Sequence, residues 1–222
     1  MRITLFMVMS IDGVVAFDSQ QDIHEYSSRE DHMFFLESVK QYDAVIMGHN
    51  SVNEEILKPK FILTRNADNI PDTENEYYLM GEPEAICKTI EKKGFTKVAL
   101  LGGPTTNRYF LDADLVDDIF LTIEPIMLGK GLYLNTPESF VKDWQLVDTR
   151  RLNDRGTIVL HFTSGHYVDE AIPQSMLFGK EDISLTYNVR NAMEQNVEYW
   201  NERAKIHADS DYYGIVGGVS NN

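Results

Sequence analysis

The chain has 222 residues, of which 43% are hydrophobic and 25% charged, with a formal net charge of -15 at pH 7. This is the composition of a globular protein with room for one full core, or for a domain plus an appendage. The acidic balance argues against nucleic acid and anionic membranes as partners, since both need clustered Lys and Arg, and no apolar run is long enough to span a bilayer.

The N-terminal run Met1–Met9 reads as a first buried strand rather than a leader peptide, because it passes straight into Ser10-Ile-Asp-Gly13 without a small-residue cleavage site. The strand resumes over Val14–Ala16. Ser28-Arg-Glu-Asp31 is a capping-box pattern that predicts a helix to about Lys40, with Met33, Phe34, Leu36 and Val39 on its buried face. Short apolar strands follow at Tyr42–Met47, Lys60–Thr64 and Tyr77–Met80. Pro83–Gly94 reads as a helix closed by its glycine. Lys97–Leu101 is the next strand, and a helix over Thr106–Leu111 comes after Gly102-Gly103. Asp118–Ile123, Trp144–Arg151 and Thr157–Phe162 complete the strands, the last two joined by a turn at Asp154-Arg-Gly156.

Strands alternating with helices predict an α/β fold with a mixed, mostly parallel sheet, to which the final hairpin adds antiparallel strands. The pattern changes near Ser164-Gly165. This divides the chain into a domain over 1–164 and an extension over 165–222, whose one helical pattern is Val189–Arg203. The single Cys87 excludes an intrachain disulfide and fits a reducing cytoplasm. The six histidines show no metal-ligand spacing, so no metal is expected.

Four short patterns fall at or just beyond the ends of successive strands: Ser10-Ile-Asp-Gly13, Gly48-His-Asn-Ser51, Leu63-Thr-Arg-Asn66 and Gly102-Gly-Pro-Thr-Thr106. Ligands of open α/β sheets bind outside the carboxyl ends of the strands, so these patterns have a place to converge. A glycine pair before a helix lets the backbone turn sharply and leaves free N–H groups for an anion such as a pyrophosphate. An ordinary strand-to-helix turn is the alternative reading of that pair. Gly129-Lys-Gly131 reads as a tight loop that lets strands approach, since no helix pattern follows it.

The order of these patterns, together with Asp117-Asp118 and Glu124-Pro-Ile-Met-Leu-Gly-Lys-Gly131, resembles the dihydrofolate-reductase-like family, and within it the RibD C-terminal reductase domain of riboflavin biosynthesis. The resemblance covers about residues 2 to 163. It implies a cytoplasmic, homodimeric reductase that uses NADPH, with NADH as the second candidate. Gly48 and Ser51 would lie beside the adenosine, Thr64 and Arg65 would meet the 2′-phosphate, and Gly102, Gly103, Pro104, Thr105 and Thr106 would carry the pyrophosphate. Ala16 would line the nicotinamide. Asp12 is expected to be the carboxylate that touches a small heterocyclic or imine-bearing substrate, as a polar contact or a proton relay, while its alternative role is to hold the Asp-Gly turn.

Two positions depart from the family pattern. Leu101 stands where riboflavin-pathway reductases carry a Glu that contacts the ribityl chain, and His49 stands where an Arg is common. These departures leave the substrate open and keep a second reading alive, that of a non-catalytic nucleotide-binding or scaffold protein on the same fold. The stretch Asn191–Gly214 resembles the N-terminus of a SAM-dependent methyltransferase, but the chain ends before a SAM-binding strand and loop, so no such activity is expected.

Overall fold

The computed structural model describes residues 1–16, 26–67, 70–134 and 142–165. Their centre is an eight-stranded sheet in the order β5-β4-β3-β6-β1-β7-β10-β9. In chain order the elements are β1 (Arg2–Ser10), β2 (Val14–Ala16), α1 (Arg29–Val39), β3 (Ala44–Gly48), β4 (Lys60–Leu63), β5 (Glu76–Leu79), α2 (Pro83–Lys92), β6 (Lys97–Leu100), α3 (Pro104–Asp112), β7 (Asp118–Glu124), β8 (Leu132–Tyr133), β9 (Gln145–Arg151) and β10 (Ile158–Thr163). All neighbours from β5 to β7 are parallel, and β10 and β9 close the far edge antiparallel. The expected α/β fold with a mixed, mostly parallel sheet is therefore the observed one.

Period-two patterning sends side chains of the central strands to both faces of the sheet, where both sets are buried. Ile3, Leu5, Ala44, Ile46, Phe61, Val98 and Leu100 point to the face covered by α2 and α3, where Ile86, Ile90, Phe110 and Leu111 meet them. Phe6, Val45, Met47, Ile62, Ala99 and Phe120 point to the opposite face, under α1. Phe6 stacks on Phe120 with ring centroids 5.1 Å apart, and Phe120 stacks on His161 at 4.2 Å.

The expected elements are present, with ends displaced by one or two residues. α3 starts at Pro104 rather than Thr106, because proline needs no N–H partner at the first helical position. Met33 is a correction: it lies 49% exposed, and Asp31 rather than Met33 belongs to the buried side of α1. The two-residue β8, which pairs with β2, has no strand signal in the sequence. The 165–222 extension and its predicted helix lie outside the described residues, apart from Gly165. No helix among the described residues is long and apolar enough to cross a membrane.

Parallel pairing from β5 to β7 places the carboxyl ends of those strands on one edge. There α1, α2 and α3 begin, α1 on one face of the sheet and α2 and α3 on the other. That edge carries the functional features.

Candidate active site

A cleft of about 1370 Å³ runs along the carboxyl edge of the sheet. Ala16, Gly48, Ser51, Thr64, Arg65, Gly103, Pro104, Thr105 and Thr106 all line it, so the structure brings nearly all of the expected cofactor positions together. Gly102 stands just behind this wall. Its carbonyl accepts a hydrogen bond from the Gly48 N–H at 2.7 Å, which ties the end of β3 to the turn before α3. The peptide between Gly102 and Gly103 is cis, and Gly102 has φ +97°.

The need for glycine is steric at two places. A Cβ on Gly48 would sit 2.7 Å from the Thr106 hydroxyl, and one on Gly103 would sit 3.1 Å from the Ser51 hydroxyl. The first contact is closer than a Cβ comes to another atom, and the second would require Ser51 to give by a few tenths of an ångström, so these glycines keep the space between β3 and α3 open.

The start of α3 remains available to a ligand. Gly103 caps it without a side-chain hydrogen bond, and its first turn contains no acid. Its first N–H groups have no partner within the helix and carry the positive end of the helix dipole. Across from it, Arg65 is exposed and forms no ion pair with any described residue. Thr64 is positioned by its N–H bond to Leu79 O at 3.0 Å. A helix start, a glycine-lined gap and a guanidinium together make a phosphate-type donor set. The residues present therefore fit a dinucleotide.

The other end of the cleft differs. It is walled by Phe6, Val8, Val15, Phe34, Phe35 and Phe120, and its buried carboxyl is Asp31, which is 6% exposed. Burial pushes the Asp31 carboxyl above the usual carboxylate range, opposed by hydrogen bonds from Thr122 and Ser27 and reinforced by the nearby charge of Glu124. Ser27 Oγ donates to Asp31 Oδ2 at 2.7 Å. Glu124 is held beneath, accepting from the Ser28 N–H at 2.7 Å and from the Thr157 hydroxyl at 2.8 Å.

Asp118 shows what pairing does to an equally buried carboxylate. Burial would raise it, but hydrogen bonds from His161 and Arg2 outweigh burial and hold it below its ordinary value. Arg2 grips it with Nε at 2.6 Å and Nη2 at 3.0 Å. That cluster lies at the start of β1 and β7, away from the cleft, and ties two strands together. Asp31 faces the cleft with hydroxyl partners instead of a guanidinium. It is the titratable group that sequence reasoning passed over, since in Ser28-Arg-Glu-Asp31 it reads as a helix-capping acid.

Asp12 sits elsewhere than expected. Its carboxylate accepts from the Ser10 hydroxyl at 2.5 Å, from Leu128 N at 3.2 Å and from Gly129 N at 2.7 Å. It is not among the residues lining the cleft. These bonds, led by that of Ser10 and then Gly129, lower its pKa to about 2. A carboxylate held ionised by three donors is a latch on the loop before β8, and its geometry offers no proton to a substrate in the cleft. The latched loop is tight, as the sequence suggests. A Cβ on Gly131 would meet Val14 Cγ1 at 2.3 Å and the Ala16 carbonyl at 2.4 Å, so β8 packs directly against β2.

Residues 59–158 match the model of the RibD C-terminal domain. The matched stretch, a little under half of the chain, resembles that family. It contains Thr64, Arg65 and the whole Gly102–Thr106 turn, whereas Asp12, Ala16, Asp31 and Gly48 precede it. An uncharacterized protein of Bacillus subtilis, YwjB, is 23% identical over 146 residues, which are 60% of this chain and 82% of that one. Among solved structures, a Shewanella sp. PV-4 protein assigned to riboflavin biosynthesis aligns with a TM-score of 0.63 at 20% identity, covering 73% of this chain and 98% of that one. A pyrimidine reductase-like protein from Corynebacterium diphtheriae aligns at 0.59 and 14% identity, over 73% of this chain and 91% of its own. The Thermotoga maritima diaminohydroxyphosphoribosylaminopyrimidine deaminase/5-amino-6-(5-phosphoribosylamino)uracil reductase aligns at 0.58 and 16%, and this chain spans 56% of its length. These likenesses establish the RibD-type, dihydrofolate-reductase-like fold.

Proposed function

We propose that the protein is an NAD(P)H-dependent reductase of a small heterocyclic or imine-bearing substrate. The observation that carries this reading is the cleft itself, which has phosphate-type donors at one end and a buried, protonatable carboxyl at the other. The cofactor half would be held by Gly103, Thr105 and Thr106 at the pyrophosphate and by Thr64 and Arg65 at the adenosine phosphate. Gly48 and Ser51 flank the same gap. The small side chain of Ala16 leaves room for a flat ring beside β2.

A bound nicotinamide supplies the hydride. Reduction of a C=N bond also consumes one proton at nitrogen, and Asp31 is placed to give it. Burial favours its protonated form more than in an ordinary aspartate, and Thr122 and Ser27 orient the carboxyl.

NADPH titration followed by calorimetry tests the reading. Binding in the micromolar range is expected, and a Kd in the millimolar range would leave only the alternative of a non-catalytic scaffold. We further propose a homodimer in the cytoplasm. The edge strand β9 presents unpaired backbone on its outer side, which a second copy can use. A monomeric mass by light scattering at micromolar concentration overturns the dimer.

A further inference from the structure

Two carboxyls are buried at the Asp31 end of the cleft, and their partners differ in kind. Glu124, at the end of β7, is fully buried, and Asp31 is nearly so. The partners of Glu124 all point one way. The N–H groups of Gly156 and Thr157 can only donate, and both give to Asn153 Oδ1 at 3.1 Å. The Asn153 amide nitrogen is thereby the donor, at 2.9 Å to the Thr157 hydroxyl and 3.3 Å to Glu30 Oε2. Having accepted there, the Thr157 hydroxyl gives its own hydrogen to Glu124 Oε2 at 2.8 Å. The Ser28 N–H, again a donor only, holds Glu124 Oε1 at 2.7 Å. Both oxygens of Glu124 accept, which is the pattern of an ionised carboxylate. A proton on Oε2 would turn the Thr157 hydrogen away from its acceptor.

Asp31 has partners that work in both directions. Ser27 Oγ gives to Asp31 Oδ2 at 2.7 Å and also reaches the Ser28 carbonyl at 3.4 Å. With a proton on Oδ2, Asp31 donates to Ser27, whose own hydrogen swings to that carbonyl. Thr122 supplies a second hydroxyl. A hydroxyl rotates and serves as donor or acceptor, so Asp31 is satisfied in either form. Among the described residues, His32 on the same helix, 3.1 Å from Glu55 Oε2, favours the charged form of Asp31, while Glu124 on β7 opposes it. Tyr26, before the helix, donates to the Val15 carbonyl at 2.5 Å, and burial keeps its phenol neutral.

Resting on the reading of Asp31 as the acid, we propose that Glu124 is its positioning residue: Glu124 holds the charge of the pair, so that Asp31 holds the proton, and it fixes the start of the helix that carries Asp31. Like charges in one buried site do not both ionise readily, so the two carboxyls compete for one proton. The fixed donors on Glu124 decide where it goes, which gives two neighbouring carboxyls two different tasks. The same carboxylate also sets where Asp31 stands. It holds the Ser28 N–H at the cap of α1, and the Ser28 hydroxyl in turn accepts from the Asp31 N–H at 3.3 Å. Asn153, in the turn between β9 and β10, supports the arrangement from behind through Thr157.

The test reads both carboxyls directly in the full chain, by NMR of the ¹³C-labelled side-chain carboxyls of Asp and Glu, assigned through their backbone connectivities. As pH rises through the Asp31 titration, the large displacement of ionisation is expected at Asp31, with only a slight one at Glu124. A large displacement at Glu124 and a small one at Asp31 would put the proton on the other carboxyl and overturn the proposal, and this measurement needs only the wild-type protein. Glu124→Gln then removes the charge and keeps the shape, including an acceptor for the Ser28 N–H. The Asp31 midpoint is expected to fall toward the ordinary aspartate value while the Ser28 amide stays protected from exchange. A midpoint that stays, or that falls only together with lost protection at Ser28, would reduce Glu124 to a structural support and overturn its role. NADPH titration keeps the two claims apart. Cofactor binding with the proton on Glu124 defeats this inference alone, whereas the expected carboxyl titration without cofactor binding defeats the reductase reading and leaves the pair as described.

Discussion

Of the three helices that begin at the carboxyl edge, α1 and α3 are built to opposite ends. α3 follows two glycines, starts with a proline and carries no acid in its first turn. α1 starts with a capping serine and places two acids in its first turn, while Glu124 takes the N–H of the cap itself. The backbone physics is the same in both, since each helix offers unsatisfied N–H groups and a positive dipole end. The difference lies in who satisfies them: at α1 the chain does so with its own oxygens, and at α3 it leaves them for a ligand. A helix start therefore marks an anion site only where the sequence withholds its own carboxylates.

The largest effect that would break this division is at Asp31. Asp31→Asn is expected to lower kcat about 10²- to 10⁴-fold, the usual range for loss of a general acid, with little change in NADPH affinity. Stability should move the other way. Because the folded state raises the Asp31 pKa, folding favours the protonated form. The stability tied to that preference is complete at acid pH and is lost as pH rises from the ordinary carboxylate range through the raised value. The variant escapes that loss, so its melting temperature should match or exceed that of the wild type at pH 7. Unchanged kcat would leave the substrate half without its acid.

Gly48→Val strikes the other half. The added carbon falls 2.7 Å from the Thr106 hydroxyl, and overpacking of this kind costs about 1–3 kcal/mol. Cofactor affinity should fall roughly ten- to hundredfold. Binding of the cofactor at wild-type affinity would show that the gap between β3 and α3 is not where the dinucleotide lies.

Arg65→Ala gives a smaller and more selective change. Hydrogen bonds to charged groups contribute about 1.5–3 kcal/mol, and exposure of Arg65 brings the expected loss toward the low end, about tenfold for NADPH. NADH, which lacks the 2′-phosphate, should be almost unaffected. Equal losses for both cofactors would remove Arg65 from the phosphate site.

The proposed cofactor half is far more legible in the sequence than the proposed substrate half. Gly48, Gly102-Gly103 and Thr64-Arg65 announce themselves because steric emptiness and a lone arginine at a strand end are local properties, visible without knowing what lies across the cleft. Asp31 is invisible by the same logic. Its position in Ser28-Arg-Glu-Asp31 satisfies a capping pattern, and its burial arises only when β7 brings Thr122 and Glu124 beneath it, some ninety residues on in the chain. The strands were readable from alternation, whereas β8 was not, because two exposed residues carry no period and are held in place by the Gly131 contact with β2. Asp12 was readable as a turn residue, and its bonds to Leu128 and Gly129 span more than a hundred positions that no local pattern connects.

Asp12 supplies the gentlest test. If it latches the loop before β8, Asp12→Asn keeps the side-chain size and one acceptor while losing the charge that the Ser10 hydroxyl and the two N–H groups stabilise. The loop should then loosen. Hydrogen exchange at Leu128 and Gly129 is expected to quicken, and the substrate KM to rise a few-fold, because Leu132 and Tyr133 just beyond that loop line the cleft. The latch should be insensitive to pH across the neutral and mildly acid range. With the folded pKa at about 2, its contribution is fully present above the ordinary aspartate value and fades only as pH falls toward 2. A proton carrier would behave differently: kcat would drop as steeply as for Asp31→Asn, with exchange at Gly129 unaltered. The two aspartates thus divide cleanly by experiment, Asp12 as a proposed latch on the pocket and Asp31 as the proposed acid within it.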